Sequence, residues 1–251
     1  MRTFRILFLN ELRSLAYASS TYVAGTIFLV LTALFFLYML HDFSIQSQTV
    51  APMQQFLKVF WLPLWFLVPL ITMRSLAEER RSGTLDTLLT TAATPFKLVM
   101  AKFCACYALY CLLWALTLLF PILVSRQLGI VQVDEALLRG APIAGGYGYV
   151  ALSGLTMIAM GIFTSSLTRS QLVAGTLCFA LLFSITVGAT LLQNYGGGWL
   201  GEFTPLAEHL RLFKHLEDFS AGVVDSRPLF LHGSLCALFL GLATLVVEGR
   251  S

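Results

Sequence analysis

Charge is what this sequence has least of. Asp, Glu, Lys and Arg make up 12% of its 251 residues, and 57% are hydrophobic, against about 25% charged in an average soluble domain. Mean hydropathy is +0.81. So few polar side chains cannot cover a water-facing surface, which excludes an ordinary soluble fold. The apolar residues run continuously instead of alternating, which excludes a transmembrane barrel. What remains is an all-α chain in a bilayer, where one hydrocarbon crossing takes about 20 apolar helical residues.

Other absences narrow the function. The only lysines are Lys58, Lys97, Lys102 and Lys214. None ends a GxxxxGK[ST] loop, so the chain has no phosphate-cradling ATP site of its own. Cys104, Cys106, Cys111, Cys178 and Cys236 fall inside apolar runs without a CxxC spacing and read as small hydrophobes. His209 and His215, near Glu208, Glu217 and Asp218, stand six apart and share no helical face, so no metal site is expected. Gly196-Gly197-Gly198 leads into no phosphate-binding helix and reads as a turn. There is no Ser/His/Asp or HExxH arrangement for hydrolysis. A net charge of +3 without a Lys/Arg cluster gives nucleic acid nothing to bind. No ionisable pair stands out within the apolar runs, which argues against ion-coupled transport. Residues 1–20 lack a compact apolar core before a small-residue cleavage site, so a removable leader is not expected.

What is present is a series of apolar runs. They predict six transmembrane helices: Tyr22 to Leu40, Phe56 to Met73, Phe103 to Ser125, Gly140 to Thr168, Ser170 to Leu192 and Pro228 to Val247. The second carries Lys58, which could snorkel, and two prolines, Pro63 and Pro69, expected to kink it. An even number of crossings puts both termini on one side. That side would hold ten cations and five acids, the other six cations and eight acids. The positive-inside rule then makes the termini cytoplasmic. Residues 1–20 predict an interfacial amphipathic helix. Phe4, Leu7, Phe8, Leu12 and Leu15 share one face, Arg2, Arg5 and Arg13 suit lipid head groups, and a break falls near Ser19-Ser20. Residues 193–227 form the outer segment between spans five and six. There Thr204-Pro205 starts a second amphipathic helix carrying Leu206, Leu210, Phe213 and Leu216.

The most informative stretch is AEERRSGTLDTLLTTAATPFK, Ala77 to Lys97. The second span is expected to continue through Arg74 to Arg81 and end at Gly83. Thr84 can cap a new short helix with Asp86 in its first turn. Leu85, Leu88, Leu89 and Ala92 then form one apolar face. Thr94 can cap the next helix, with Pro95 at its first position. A short apolar-faced helix with ionic flanks is suited to docking in a partner's groove. From these residues alone, an ordinary hairpin between two spans fits equally well.

The stretch EERRSGTLDTLLTTAATPFKLVMAKF resembles the signature cytoplasmic loop of type 2 ABC transporter permeases. FLNELRSLAYASSTYVAGTIFLVLTALFF resembles that family's amino end, although Asn10 stands where a basic residue is usual. FSAGVVDSRPLFLHGSLCALFL resembles its approach to span six, with Gly222-Val223-Val224-Asp225 in place of Gly-Val-Ile-Asp. The nearest likeness is to permeases of gliding-motility and copper-enzyme-maturation exporters. The resemblance implies a single transmembrane permease domain over residues 1–251 in a bacterial inner membrane. It further implies that a coupling helix around Thr84 to Thr91 docks a separate cytoplasmic ATP-binding subunit, which binds ATP and magnesium. Glu78, Glu79, Arg80 and Arg81 would supply polar contacts, and Arg169 would lie at the same face. Pairing with a second permease copy or a homologous permease would complete the substrate path, with spans one, two and five around it. The other reading is a non-transporting membrane anchor or scaffold that holds a cytoplasmic partner. A small solute channel would lack a polar lining.

Overall fold

The computed structural model describes residues 2–45, 52–84, 94–128, 140–195, 212–222 and 225–249. These form eleven helices and, among the described residues, no strand. They are α1 (Arg2–Tyr17), α2 (Ser19–Ile45), α3 (Pro52–Lys58), α4 (Trp61–Thr72), α5 (Ala77–Ser82), α6 (Pro95–Thr117), α7 (Leu119–Leu128), α8 (Gly140–Leu167), α9 (Gln171–Tyr195), α10 (Leu212–Ser220) and α11 (Ser226–Glu248).

The first helix follows its sequence pattern. Phe4, Leu7, Phe8, Glu11, Leu12 and Leu15 are half-buried at helical spacing, while Arg5, Asn10 and Arg13 are exposed. That stripe, expected to face lipid, packs on α6. The chain turns at Ala18, and the Tyr22 hydroxyl donates to Ala16 O across the corner at 2.7 Å.

Five stretches are long and apolar enough to cross a membrane: Ser19–Asp42, Pro95–Val124, Ile143–Leu167, Gln171–Gly188 and Ser226–Glu248. They match expected spans one, three, four, five and six. The second expected span is not a continuous helix. It is interrupted at Val59-Phe60, between α3 and α4. Proline explains the position. Pro63 has no N–H for the Val59 carbonyl, and its ring crowds that carbonyl. Val59 O instead accepts from Leu62 N at 3.1 Å in a tighter turn. Pro121 acts in the same way on span three, where the turn at Leu118 separates α6 from α7. By contrast, α4 runs on through Pro69.

A second departure lies just beyond α4. The expected continuous helix from span two to Arg81 stops, because Met73 to Leu76 form a turn. The buried Ser165 hydroxyl on α8 accounts for it. Its Oγ accepts from Leu76 N at 3.0 Å and Ala77 N at 3.1 Å, and donates to Met73 O at 3.2 Å. One side chain thereby replaces the hydrogen bonds that a continuing helix would have made.

α8 is the central helix. It touches α3, α4, α5, α6, α9, α10 and α11, and 72% of its apolar window is buried, against 33% or less in the other four. Small residues permit this, because they let backbones approach closely without polar cost. Gly154 lies against the Tyr110 ring and Gly161 against the Thr72 side chain, each too close for a Cβ.

Helix polarity places α1, α5 and the start of α6 at one face of the bundle, here the N-terminal face. α3 and α10 lie at the opposite face. There Leu216 and Phe219 of α10 are buried where it packs on α3 and α8. Lys58 meets Glu217 at 2.7 Å, and Gln54 Nε2 donates to Ser220 O at 3.1 Å. Lys58 therefore has a protein partner at this face. The expected start at Thr204-Pro205, with Leu206, Glu208, His209 and Leu210, lies outside the described residues, as do the side chain of Phe213 and the glycine run at Gly196.

Candidate functional site

The chemistry-bearing residues of the N-terminal face gather around α5. Glu78 and Glu79 occupy its first turn and Arg80 and Arg81 its last, both in favourable positions against the helix dipole. Gly83 ends it with φ 72°, the left-handed conformation that glycine adopts most cheaply, and its N–H bonds to Glu79 O. This is the expected terminator. The Thr84 hydroxyl contacts Ser82 Oγ at 2.9 Å and donates to Glu79 O at 3.4 Å. Leu85, Asp86, Leu88 and Leu89, the expected apolar face of the coupling helix, lie outside the described residues. The chain resumes at Thr94, whose backbone is extended, with Pro95 at the first position of α6 as expected.

Three of the expected partner-binding charges bond within the chain, Glu78 from a half-exposed position. Arg74 grips Glu78 with two nitrogens, Nε to Oε2 at 2.8 Å and Nη2 to Oε1 at 3.1 Å. Its Nη1 donates to Ser20 Oγ at 2.8 Å, which ties α5 to the start of α2. Arg80 Nη1 donates to Ser166 O at the end of α8. Glu79 Oε1 meets Lys102 Nζ at 2.7 Å, and Glu11 Oε1 meets the same nitrogen at 2.8 Å. The Lys102 side chain is only 2% exposed. One ammonium on α6 thus joins α1 to α5. By contrast Arg81, Gly83, Thr84 and Arg169 are exposed, as are Phe96 and Lys97 beyond Pro95.

Two neighbouring carboxyls are driven in opposite directions. The hydrogen-bonded Arg74 guanidinium holds Glu78 below the usual carboxylate range. Burial pushes Glu79 up, against the opposing pull of Lys102. Desolvation penalises the charged form and an opposite charge favours it. At Glu79 the first effect wins.

Sequence reasoning missed four of these residues in their roles. Lys102, Arg74 and Glu11 enter the sequence reading only through the charge balance, and Ser165 has no role in it. Lys102, one residue before the expected third span, pairs with Glu11 and Glu79, which both lie outside the apolar runs. A usable signal was present in α1, where Glu11 interrupts the stripe of Leu7, Phe8, Leu12 and Leu15 and so predicts a buried cation opposite it. No group of three His, Cys, Asp or Glu able to hold a metal exists among the described residues.

α2, α6 and α8 bond to a six-residue helix or the turn before it, and α1 is joined to it through Lys102 of α6. The exposed groups lie on either side of residues 85–93. No curated protein matches the chain. Residues 45–206, well over half of it, match the ABC-2 family transporter protein family. With several helices able to cross a membrane and a charge-knit hub at one face, the chain belongs to the ABC-2 transporter family and is a membrane-spanning permease component of an ABC transporter.

Proposed function

We propose that the chain is the permease subunit of an ATP-driven exporter and docks a separate ATP-binding subunit through residues 77–97. In this reading the N-terminal face is cytoplasmic in a bacterial inner membrane. ATP and magnesium bind the partner, and two permeases pair to form the path. α3 and α4 together complete a sixth crossing, interrupted at Val59-Phe60. Within the family, the reading assigns the chain to the subgroup of gliding-motility and copper-enzyme-maturation exporters that its sequence resembles.

One observation carries the reading beyond the family match: the division of labour around α5. Glu78, Glu79 and Arg80 anchor the base of the docking segment to α2, α6 and α8, while Arg81, Thr84, Phe96 and Lys97 stay exposed for a partner. Motion of the partner at residues 85–93 would pull directly on α5. The hub then passes it to α1 and α6 through Lys102, and to α8 through Ser165 and Ser166. An anchored base with a free tip suits the transmission of work, whereas a scaffold would need only the tip.

Replacing Leu85 and Leu88 with Asp is expected to abolish co-purification of the ATP-binding subunit while leaving membrane insertion intact. Normal co-purification of the double variant would refute the docking assignment. Reconstitution separates exporter from anchor. An exporter's ATP turnover responds to substrate and solute accumulates across the bilayer; an anchor shows neither.

A further inference from the structure

α1 has two faces, and the bundle uses only one. Phe4, Leu7, Phe8, Leu12 and Leu15, the stripe that periodicity assigns to lipid, are spent on α6. The opposite face carries Arg5, Ile6, Leu9, Arg13 and Tyr17, all of them exposed. At 3.6 residues per turn, Ile6, Leu9, Arg13 and Tyr17 fall within one quarter of the helix circumference. Ile6 is 67% exposed, Leu9 41% and Tyr17 87%. A helix face turned to water carries polar and charged residues. Here large apolar side chains are interleaved with arginines, the composition of a helix lying at a membrane interface.

Charge on this face has one sign. α1 contains a single acid, Glu11, and its carboxylate is turned onto Lys102 at 2.8 Å. No exposed acid on α1 remains to neutralise Arg5 and Arg13. An occupant must therefore bring negative charge, oxygens that a guanidinium fork can grip, and apolar matter for Ile6, Leu9 and Tyr17. An anionic head group on acyl chains supplies all three. A second copy does not. Pairing this face with itself across a two-fold axis sets arginines against arginines.

The corner with α2 fixes the level of this face. Tyr22 Oη donates to Ala16 O, so the exposed end of α1 adjoins the start of the first crossing. From there Val23, Ile27, Val30, Leu34 and Leu37 form an exposed apolar stripe along α2, a surface suited to hydrocarbon. Tyr17 and Tyr22 stand at its head, and aromatic residues there mark the head-group level of a membrane. We propose that the outward face of α1 binds anionic phospholipid, with Arg5 and Arg13 on phosphate and Ile6, Leu9 and Tyr17 against the acyl boundary. The inward face of the same helix holds Glu11 on Lys102, so lipid bound to α1 steadies the hub. The surface stands whether or not a partner docks at residues 85–93.

The test places purified permease in nanodiscs of phosphatidylcholine, with or without phosphatidylglycerol of the same acyl chains. Lipid retention is read by native mass spectrometry and Tm by thermal unfolding. Each arginine should favour the anionic lipid about fivefold, so the pair should favour it roughly 25-fold at low salt. Salt should shrink that preference, and Tm should rise with phosphatidylglycerol content. Arg5→Gln with Arg13→Gln should abolish both effects. Neither side chain is buried, so that variant should unfold at the parental temperature in pure phosphatidylcholine. Arg5→Lys with Arg13→Lys should restore the preference. Arg227→Gln, which removes an exposed cation at the opposite face, should leave it unchanged. Equal retention of the two lipids, or an undiminished preference in the glutamine variant, would overturn the proposal. So would a glutamine variant that keeps its lipid but loses its ATP-binding subunit or its pairing with a second copy.

Discussion

The two faces of the bundle are closed by ion pairs of different kinds. On the N-terminal face Lys102, at 2% exposure, bridges carboxylates from two elements. On the opposite face Lys58 meets Glu217 with side chains 42% and 54% exposed. A solvated pair is worth about 0–1 kcal/mol. A buried charge that loses its partner costs about 3–5 kcal/mol. The first face therefore tolerates only one arrangement of its helices, while the second is held mainly by Leu216 and Phe219 and closed loosely by charge. A component that receives force at one end and yields at the other would be built this way.

This contrast can be broken most severely at Lys102. Lys102→Met strands Glu11 and Glu79 in a buried setting and should destabilise the permease by about 3–5 kcal/mol, seen as lost monodisperse protein in detergent. Adding Glu11→Gln and Glu79→Gln should restore much of it, because the uncompensated charge is the cause. A Lys102→Met variant as stable as the parent would remove the hub from the account.

Ser165→Ala comes next. It leaves the Leu76 and Ala77 N–H groups unbonded in a buried corner, with an expected loss of about 1–3 kcal/mol in thermal unfolding. Exchange of those two amides should rise locally even if global stability changes little.

The acid response sharpens the comparison further. Burial raises Glu79 in the folded protein, so its contribution is fully present below the ordinary carboxylate value, about 4.3. It is lost as pH rises through the raised value. Glu78, held down by Arg74, behaves oppositely, and its contribution is lost only as pH falls through its lowered value. Unfolding temperature measured above the ordinary carboxylate value should therefore be higher on the acidic side of the Glu79 titration than at neutral pH. Glu79→Gln should remove that slope and Glu78→Gln should not.

The smallest effect belongs to the opposite face. Lys58→Ala should cost no more than about 1 kcal/mol, and salt should erase the difference. A loss as large as that of Lys102→Met would mean that the two faces do not differ.

What the sequence made legible was local. Hydropathy located five crossings, the α1 stripe appeared at its 3.6-residue spacing, and Gly83 and Pro95 mark helix ends by their own backbone chemistry. Pro63 marks the break in span two, but Pro69, expected to act alike, leaves α4 continuous, and Pro121 carried no expectation. The hub was not legible, because its bonds join residues far apart in the chain. Lys102 and Glu11 are 91 positions apart and Leu76 and Ser165 are 89, and neither pair has a spacing rule. The inward turn of Glu79 and Arg80 was hidden for the same reason, since a charge run beside a helix end looks identical whether it faces solvent or the bundle.

The central claim is that the segment following α5 reaches a force-generating partner inside the cell. Thr84→Cys, in a chain whose five native cysteines are replaced, tests it by labelling with a membrane-impermeant maleimide. Intact cells should leave the residue unlabelled and inverted membrane vesicles should label it fully. Labelling in intact cells would put the docking segment on the wrong side of the membrane and contradict the account.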